Sequence, residues 1–174
     1  GMIIDISRKI SNDSLNMKNN LWKKELGELV SNKTLGVIGL GNIGKTLIKL
    51  TRGFNFKLLA YDVNKDESFA KQYGVKYCNL HELLSAADII SVHLNSSEKN
   101  YDLLGNFEFS LLKKTAIFIN TSRGEVVDEK ALYQCLEEKR ILGAGIDVYK
   151  NEPYKGDLQK LDNIILTPHI GSYA

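Results

Sequence analysis

Three residues of types common in enzyme active sites, Arg123, Glu152 and His169, each follow a short apolar run in this chain. Short apolar runs bounded by polar residues predict strands buried in a parallel sheet. Parallel strands end together at one edge of the sheet, and open α/β proteins bind their ligands at that edge. The three side chains are therefore expected to share one site.

The three residue types complement one another chemically. A histidine can transfer a proton near neutral pH, and a carboxylate bound to its other ring nitrogen would hold its tautomer. An arginine offers a planar fork that binds a carboxylate bidentately and polarises an adjacent carbonyl. Together they fit the reduction of a 2-oxo acid by a nicotinamide cofactor, or the reverse oxidation of a 2-hydroxy acid.

Each residue taken singly also has a simpler interpretation. Arg123 could cap the sheet edge or pair with Asp128. Glu152 could be an ordinary turn carboxylate, and His169 a loop histidine with satisfied partners. Their common position after successive apolar runs favours the catalytic interpretation. A cluster of ionisable residues with shifted pKa values can also have a purely structural role.

A glycine-rich loop, GLGNIG, follows the first apolar run and precedes a helical pattern. Gly39 allows a tight turn, Gly41 lets the backbone approach a pyrophosphate, and Gly44 lets the helix pack close to the strand. Free N–H groups at the start of the helix would bind the phosphates. The loop predicts a dinucleotide site, and a tight turn without a ligand is the alternative.

An acidic residue stands where such a site needs one. Asp62 ends the second apolar run, 18 positions after Gly44, close to the roughly 20 positions typical of a carboxylate on the adenosine ribose. A carboxylate binds the ribose hydroxyls and repels a 2′-phosphate, which favours NAD over NADP. Lys65 lies near enough in sequence to soften that repulsion, so NADP stays as the less favoured cofactor.

Apolar runs alternate with helical patterns from residue 33 onward. This alternation predicts an α/β fold with a parallel sheet and right-handed crossovers. The predicted strands are 35–40, 57–61, 75–77, 89–94, 115–119, 143–148 and 164–166. The predicted helices are 43–53, 65–73, 80–86, 106–112 and 128–140. Upstream, residues 3–10 predict a short helix and residues 12–21 a loop, and the lone Trp22 is expected to fill a surface groove.

Composition excludes several classes of function. The net charge of +2 over 174 residues is too small to indicate a nucleic-acid or membrane partner. Cys78 and Cys135 have neither the spacing of metal ligands nor that of a disulfide framework, so no metal site is expected and both are expected in or near the core. With no membrane span and no signal peptide in the sequence, a cytoplasmic protein is expected.

Four stretches carry a resemblance to a known family: 33–44, 119–132, 143–153 and 166–171, which read KTLGVIGLGNIG, INTSRGEVVDEKAL, GAGIDVYKNEP and LTPHIG. The chain resembles the nucleotide-binding domain of the D-isomer-specific 2-hydroxyacid dehydrogenases, which include D-lactate, phosphoglycerate and glyoxylate/hydroxypyruvate enzymes. The resemblance implies a Rossmann-type doubly wound parallel sheet in three αβα layers, and NAD as the cofactor.

The resemblance also implies catalytic roles for the three residues. Arg123 matches the arginine that binds the substrate carboxylate and polarises the carbonyl. His169 matches the acid/base and Glu152 the carboxylate paired with it. The substrate expected on this basis is a 2-oxo or 2-hydroxy acid of D configuration.

A larger set of residues is expected to contact the cofactor. Within it, Asn42 and Ile43 match the positions that meet the pyrophosphate, and Asp147 the one that holds the nicotinamide carboxamide. Residues 121–123 match a stretch on the nicotinamide side, and His93 ends the fourth predicted strand beside the cleft. The full set is Gly39, Gly41, Asn42, Ile43, Gly44, Asp62, His93, Thr121, Ser122, Arg123, Asp147 and His169.

The resemblance bears on domain organisation too. Family members carry a second, substrate-binding domain built from segments on either side of this one, and they dimerise through the nucleotide-binding domain. Residues 1–32 are then expected to hold the first interdomain helix and a linker, and residues 33–174 the NAD-binding domain, with the substrate domain absent from this chain. The alternative function is a non-catalytic, NAD-sensing protein-interaction module.

Overall fold

All neighbouring strands of the sheet run parallel, because each connection between successive strands is a crossover that returns the chain to the same edge. In this computed structural model, which describes residues 1–172, the strand order is β3-β2-β1-β4-β5-β6-β7. The last two residues of the domain expected over 33–174 lie outside the described residues. The strands are β1 Thr34–Ile38, β2 Lys57–Tyr61, β3 Val75–Tyr77, β4 Ile89–Val92, β5 Ile117–Asn120, β6 Gly143–Ile146 and β7 Ile164–Leu166.

In the described part of the chain, five α-helices connect successive strands from β1 to β6, in the predicted alternation, and two more precede β1. They are α1 Met2–Arg8, α2 Ile10–Lys18, α3 Asn42–Leu50, α4 Glu67–Tyr73, α5 Leu80–Ala86, α6 Asn106–Ser110 and α7 Glu129–Glu137. Sequence chemistry explains their ends. Asp128 accepts hydrogen bonds from the first N–H groups of α7, Asp66 does the same for α4, and Asn79 forms a capping box with Glu82 on α5.

Two apolar clusters cover the two faces of the sheet and confirm the three-layer αβα architecture. Side chains alternate along β1, where Leu35 and Val37 face one cluster and Ile38 faces the other. Helices α1, α3 and α4 pack with the first cluster, and α5, α6 and α7 with the second. The resulting doubly wound sheet is the Rossmann-type fold that the resemblance implies.

The strands are shorter than predicted where a turn begins. The prediction extended β1 to residue 40, but the strand ends at Ile38 because Gly39 turns the chain with φ of 92°, a region that favours glycine. β6 likewise ends at Ile146 rather than 148, since Asp147 begins a polar turn. Apolar residues continue past the ends of both strands, so the apolar pattern predicted both strand ends too late in the sequence.

The predicted loop over residues 12–21 is wrong for most of its length, because α2 continues to Lys18. None of its residues is buried, so the segment lacks the apolar stripe that signals a helix in a sequence. The Asp5 side chain accepts hydrogen bonds from the backbone N–H and hydroxyl of Ser11. These bonds restart the helix after Lys9, which adopts a left-handed conformation with φ of 54°.

The N-terminal segment differs from expectation in a second way. Trp22 does not fill a groove, since 78% of its surface is exposed. Ahead of it, α1 lies on the sheet, with Met2 and Ile6 against the backbone of β6.

Cys135 is buried and Cys78 half-buried, as predicted. Within residues 1–172, no helix combines the length and apolar character needed to cross a bilayer.

Candidate active site

The candidate site lies at the carboxyl edge of the sheet, on both sides of the point where strand order reverses. β1 pairs with β2 on one side and with β4 on the other, so the crossovers leave the sheet on opposite faces and open a crevice between them. β5, β6 and β7 are consecutive neighbours. The segments that follow these three strands therefore emerge side by side, as the sequence predicted.

The glycine loop has the geometry of a phosphate cradle. Gly41 is the N-cap of α3, and no side chain of residues 1–172 caps the helix there. A Cβ at Gly41 would meet no atom within 4 Å, so the space in front of the helix start is open. Uncapped N–H groups at the positive end of a helix bind anions. Asn42 and Ile43 begin α3 and are exposed beside this space, and Gly44 is buried in its first turn.

Asp62 is held directly against this loop. Its Oδ2 accepts a hydrogen bond from the N–H of Leu40 at 2.7 Å, and its Oδ1 accepts one from the N–H of Asn64 at 2.7 Å. The half-buried carboxylate is therefore fixed at the end of β2 and keeps lone pairs for further donors. Lys65 points elsewhere, with its Nζ 5.6 Å from the ring centre of Tyr77.

His169 and Glu152 form a direct pair. The His169 Nδ1 lies 3.0 Å from Glu152 Oε1 and 2.9 Å from Oε2. This hydrogen bond is the main cause that lowers the pKa of Glu152, with a further contribution from the N–H of Tyr149, which donates to Oε1 at 3.1 Å. An ionised carboxylate only accepts hydrogen bonds, so Nδ1 carries the proton that joins the pair. The pairing leaves Nε2 as the nitrogen available for proton transfer.

The turn that carries His169 is held by a buried carboxylate. Asp147 is 2% exposed, and its Oδ1 accepts from the Thr167 hydroxyl and from the N–H of Ile170 at 3.0 Å, while its Oδ2 accepts from the N–H of Gly171 at 2.9 Å. Burial opposes ionisation of Asp147, but these hydrogen bonds outweigh it and lower its pKa. His169 has φ of 54° in this turn, a conformation that the surrounding bonds must maintain.

Arg123 lies in the neighbouring turn after β5 and is exposed. Its Nη1 donates to the carbonyl of Ser122 at 2.6 Å, and within residues 1–172 the guanidinium makes no ion pair with Asp128. Asn120, 1% exposed, organises the turn: its amide nitrogen donates to the carbonyl of Arg123 at 2.9 Å, and its oxygen accepts from the hydroxyl of Ser122 at 2.9 Å. The Ser122 side chain thus belongs to the turn, whereas Thr121 is exposed beside the crevice.

His93 lines a small cavity next to this turn. The cavity of about 320 Å³ is bordered by His93, Ser91, Thr121, Asp147 and Gly171 among others. Burial lowers the pKa of His93 to about 4, so its imidazole is neutral at physiological pH. Its Nε2 lies 2.9 Å from the Ser91 hydroxyl. His93 therefore contributes a neutral polar wall between the glycine loop and the His169 turn.

Comparison with known proteins decides the family. The family model described as "D-isomer specific 2-hydroxyacid dehydrogenase, NAD binding domain" matches residues 1–171. This chain belongs to the D-isomer specific 2-hydroxyacid dehydrogenase family. It is 44% identical over 149 residues to a glyoxylate reductase of Korarchaeum cryptofilum, an alignment that covers 84% of this chain and 45% of the relative.

Solved structures similar to this chain cover nearly its whole length. The D-lactate dehydrogenase of Aquifex aeolicus, complexed with NAD and lactic acid, superposes with a TM-score of 0.90 at 32% identity, over 99% of this chain and 58% of that one. An acyclic imino acid reductase in complex with NADPH and D-Arg gives a TM-score of 0.90 at 30% identity, over 99% and 56%. The chain spans about half the length of the relatives it matches.

Some residues of this dehydrogenase-family site had no assigned role in the sequence. Tyr149 and Thr167 look like ordinary strand-end residues, and their contacts to the His169 turn depend on how β6 and β7 pair. For Asn120 the sequence held a weak signal of its role in the turn, because an asparagine at the end of an apolar run often forms hydrogen bonds with the backbone of the following turn.

Proposed function

We propose that this chain is the NAD-binding part of a dehydrogenase that transfers hydride between NAD(H) and a 2-oxo or 2-hydroxy acid of D configuration. The contact between His169 Nδ1 and the Glu152 carboxylate carries the proposal, because it leaves a histidine oriented for proton transfer at the edge where the glycine loop opens. Family membership supports the same reaction class.

The proposed mechanism assigns one role to each residue. The chemistry that NADH would supply when bound is hydride transfer to the substrate carbonyl carbon. Arg123 binds the substrate carboxylate through its guanidinium and polarises the adjacent carbonyl. His169 delivers the proton from Nε2 to the carbonyl oxygen as the alcohol forms, and Glu152 stabilises the charged imidazole through Nδ1. In the oxidation direction His169 removes the same proton from the hydroxyl.

The cofactor site is assigned to the residues around the crevice. We assign the pyrophosphate to the uncapped start of α3, with Gly41, Asn42 and Ile43, and the adenosine ribose to Asp62. We assign the nicotinamide end to the cavity that His93, Thr121 and Asp147 border. NAD is proposed over NADP because the Asp62 carboxylate is fixed against the glycine loop, where it would repel a 2′-phosphate, and Lys65 is directed to Tyr77.

We further propose that the chain forms a homodimer through its N-terminal segment. Large apolar side chains are unusually exposed between residues 10 and 29: Ile10, Leu15, Met17, Leu21, Trp22, Leu26 and Leu29. A concentration of exposed apolar residues on a folded chain indicates a protein interface. Trp22 and Leu26 are the most exposed of them.

Two measurements test the proposed function. Calorimetric titration of this chain with NADH should show binding, and the absence of binding at millimolar NADH would refute the cofactor site. The full-length protein should reduce glyoxylate or another small 2-oxo acid with NADH, and we expect little turnover from this chain alone. A full-length protein that binds NADH but reduces no 2-oxo acid would instead favour the NAD-sensing alternative.

A further inference from the structure

One residue contacts the segments that carry all three proposed catalytic groups. Tyr149 follows β6, between the turns after β5 and β7, and only 8% of it is exposed. Its contacts reach Gly124, next to Arg123, then Glu152 itself, and then Thr167, two positions before His169. Tyr149 therefore lies where it can link the three segments.

The contact with Glu152 is made by the backbone. The N–H of Tyr149 donates to Glu152 Oε1 at 3.1 Å. The same oxygen faces His169 Nδ1 at 3.0 Å. Tyr149 thereby fixes the carboxylate that orients the imidazole, and any side chain at position 149 would retain this bond.

The contact with the His169 turn is made by the side chain. The Tyr149 hydroxyl donates to the carbonyl of Thr167 at 2.9 Å, with a longer approach of 3.3 Å to the carbonyl of Ile146. The Thr167 carbonyl also accepts from the N–H of His169 at 3.0 Å. Burial raises the pKa of Tyr149 to about 12, so the hydroxyl keeps its proton over the physiological range.

The contact with the Arg123 turn is steric. Gly124 lies so close to Tyr149 that a Cβ on it would be 2.1 Å from the Tyr149 carbonyl carbon. Tyr154 stacks on the Tyr149 ring, with 4.3 Å between ring centres. The backbone and the ring of Tyr149 are therefore both packed against neighbours, so the residue can hold the adjoining turns in place.

We propose that Tyr149 is a positioning residue whose hydroxyl holds the His169 turn in register with Glu152. The expected effect on turnover rests on the proposed dehydrogenase function. The expected effect on the His169–Glu152 hydrogen bond does not. Loss of the hydroxyl should leave the fold intact and loosen the His169–Glu152 hydrogen bond.

The test compares Tyr149→Phe with Tyr154→Phe. Both remove one hydroxyl from the same aromatic stack, but the Tyr154 hydroxyl accepts from the N–H of Leu158 and, among residues 1–172, forms no hydrogen bond with His169 or Glu152. The first readout is the exchange of the His169 Nδ1–H proton with water, followed by NMR on this chain. We expect about two- to tenfold faster exchange in Tyr149→Phe, as for the loss of one neutral hydrogen bond, and no change in Tyr154→Phe.

The second readout is glyoxylate reduction by the full-length protein with NADH. We expect kcat to fall in Tyr149→Phe while the KM for NADH is unchanged. If the full-length protein reduces no 2-oxo acid, the proposed function fails, and the exchange measurement still decides the positioning role. Equal exchange in the unaltered chain and in Tyr149→Phe, or equal acceleration in both variants, would overturn the proposal.

A measurement on the unaltered chain covers the case in which Tyr149→Phe does not fold. The Tyr149 hydroxyl and the His169 N–H donate to the same Thr167 oxygen, so their protons must lie close together. A slowly exchanging Tyr149 hydroxyl proton with a nuclear Overhauser contact to the His169 amide supports the proposed positioning role. The absence of this contact overturns the proposal.

Discussion

The His169 imidazole is oriented by the Glu152 carboxylate, whose two oxygens lie 3.0 and 2.9 Å from Nδ1. The two residues follow different strands, β6 and β7, that pair in parallel. The hydrogen bond lowers the pKa of Glu152 and keeps it ionised near neutral pH. This pairing makes one ring nitrogen a fixed donor to the protein and leaves the other outside the pair.

Removal of the imidazole tests the proposed acid/base directly. His169→Ala in the full-length protein should slow glyoxylate reduction at saturating substrate about 10²- to 10⁴-fold, the usual range for loss of a general acid. NADH affinity, measured by fluorescence titration, should be nearly unchanged. His81→Ala is the matched control, because His81 is an exposed histidine on α5. Normal turnover in His169→Ala would show that another group supplies the proton.

The carboxylate at the end of β2 should determine cofactor choice. Asp62→Ala removes the charge at the proposed ribose site, so NADH should bind about ten- to hundredfold more weakly to this chain. NADPH binding should improve at the same time, because the repulsion of the 2′-phosphate is lost. Calorimetry with both cofactors measures the change. Asp162→Ala, an exposed carboxylate before β7, should leave both affinities unaltered, and unaltered NADH affinity in Asp62→Ala would contradict the assignment.

The buried carboxylate of Asp147 should stabilise the fold in a pH-dependent way. Asp147→Asn should lower the free energy of unfolding near pH 7 by about 1–3 kcal/mol, since an amide cannot accept all of its hydrogen bonds. The folded-state pKa lies below the ordinary value of 3.8, so this stability is present above that value and disappears as pH falls through the folded-state pKa.

Urea titrations at a series of pH values measure the Asp147 contribution. The difference between the unaltered chain and Asp147→Asn should be constant down to about pH 5 and shrink below it. Asp157→Asn is the control, because the Asp157 side chain is 65% exposed and forms an ion pair with the nearby, exposed Lys160. A difference that grew toward acid pH would have the wrong sign for a carboxylate with a lowered pKa.

The close approach of Gly124 to Tyr149 predicts a steric effect on the Arg123 turn. Gly124→Ala would place a methyl group 2.1 Å from the Tyr149 carbonyl carbon, so the backbone must shift. We expect a destabilisation of about 1–3 kcal/mol in thermal or urea unfolding. Gly53→Ala is the matched control, since a Cβ there would meet no atom within 4 Å. Equal stability of the two variants would contradict the packing described.

The exposed apolar segment predicts self-association. Trp22→Glu should raise the dissociation constant of the homodimer about tenfold or more, the effect of losing a central interface residue. Sedimentation equilibrium measures the change, and far-ultraviolet circular dichroism should show no loss of helix, because Trp22 is exposed in the monomer. Leu50→Glu, an equally exposed apolar position on α3, should leave the dimer unaffected. A chain that stays monomeric at high concentration would refute the interface.

The sequence determined the architecture because its signals are local and repeated. Apolar runs alternating with helical patterns predicted all seven strands, and the glycine spacing located the turn between β1 and α3. The positions of Arg123, Glu152 and His169 after successive runs predicted that their segments would meet at one edge. Parallel pairing makes this a geometric necessity once the strands are adjacent. The loop predicted at 12–21 was wrong because a solvated helix has no apolar stripe to reveal it.

Only the tertiary structure decided which groups contact one another. Asp147 is a strand-end acid in the sequence, but the pairing of β6 with β7 makes it the acceptor for three donors of the His169 turn. Tyr149 is an apolar residue by pattern, yet its hydroxyl reaches the Thr167 carbonyl and its backbone meets Gly124. Such contacts depend on register and on side-chain direction across neighbouring strands. A one-dimensional pattern carries neither quantity, because both are set by the packing of the whole sheet.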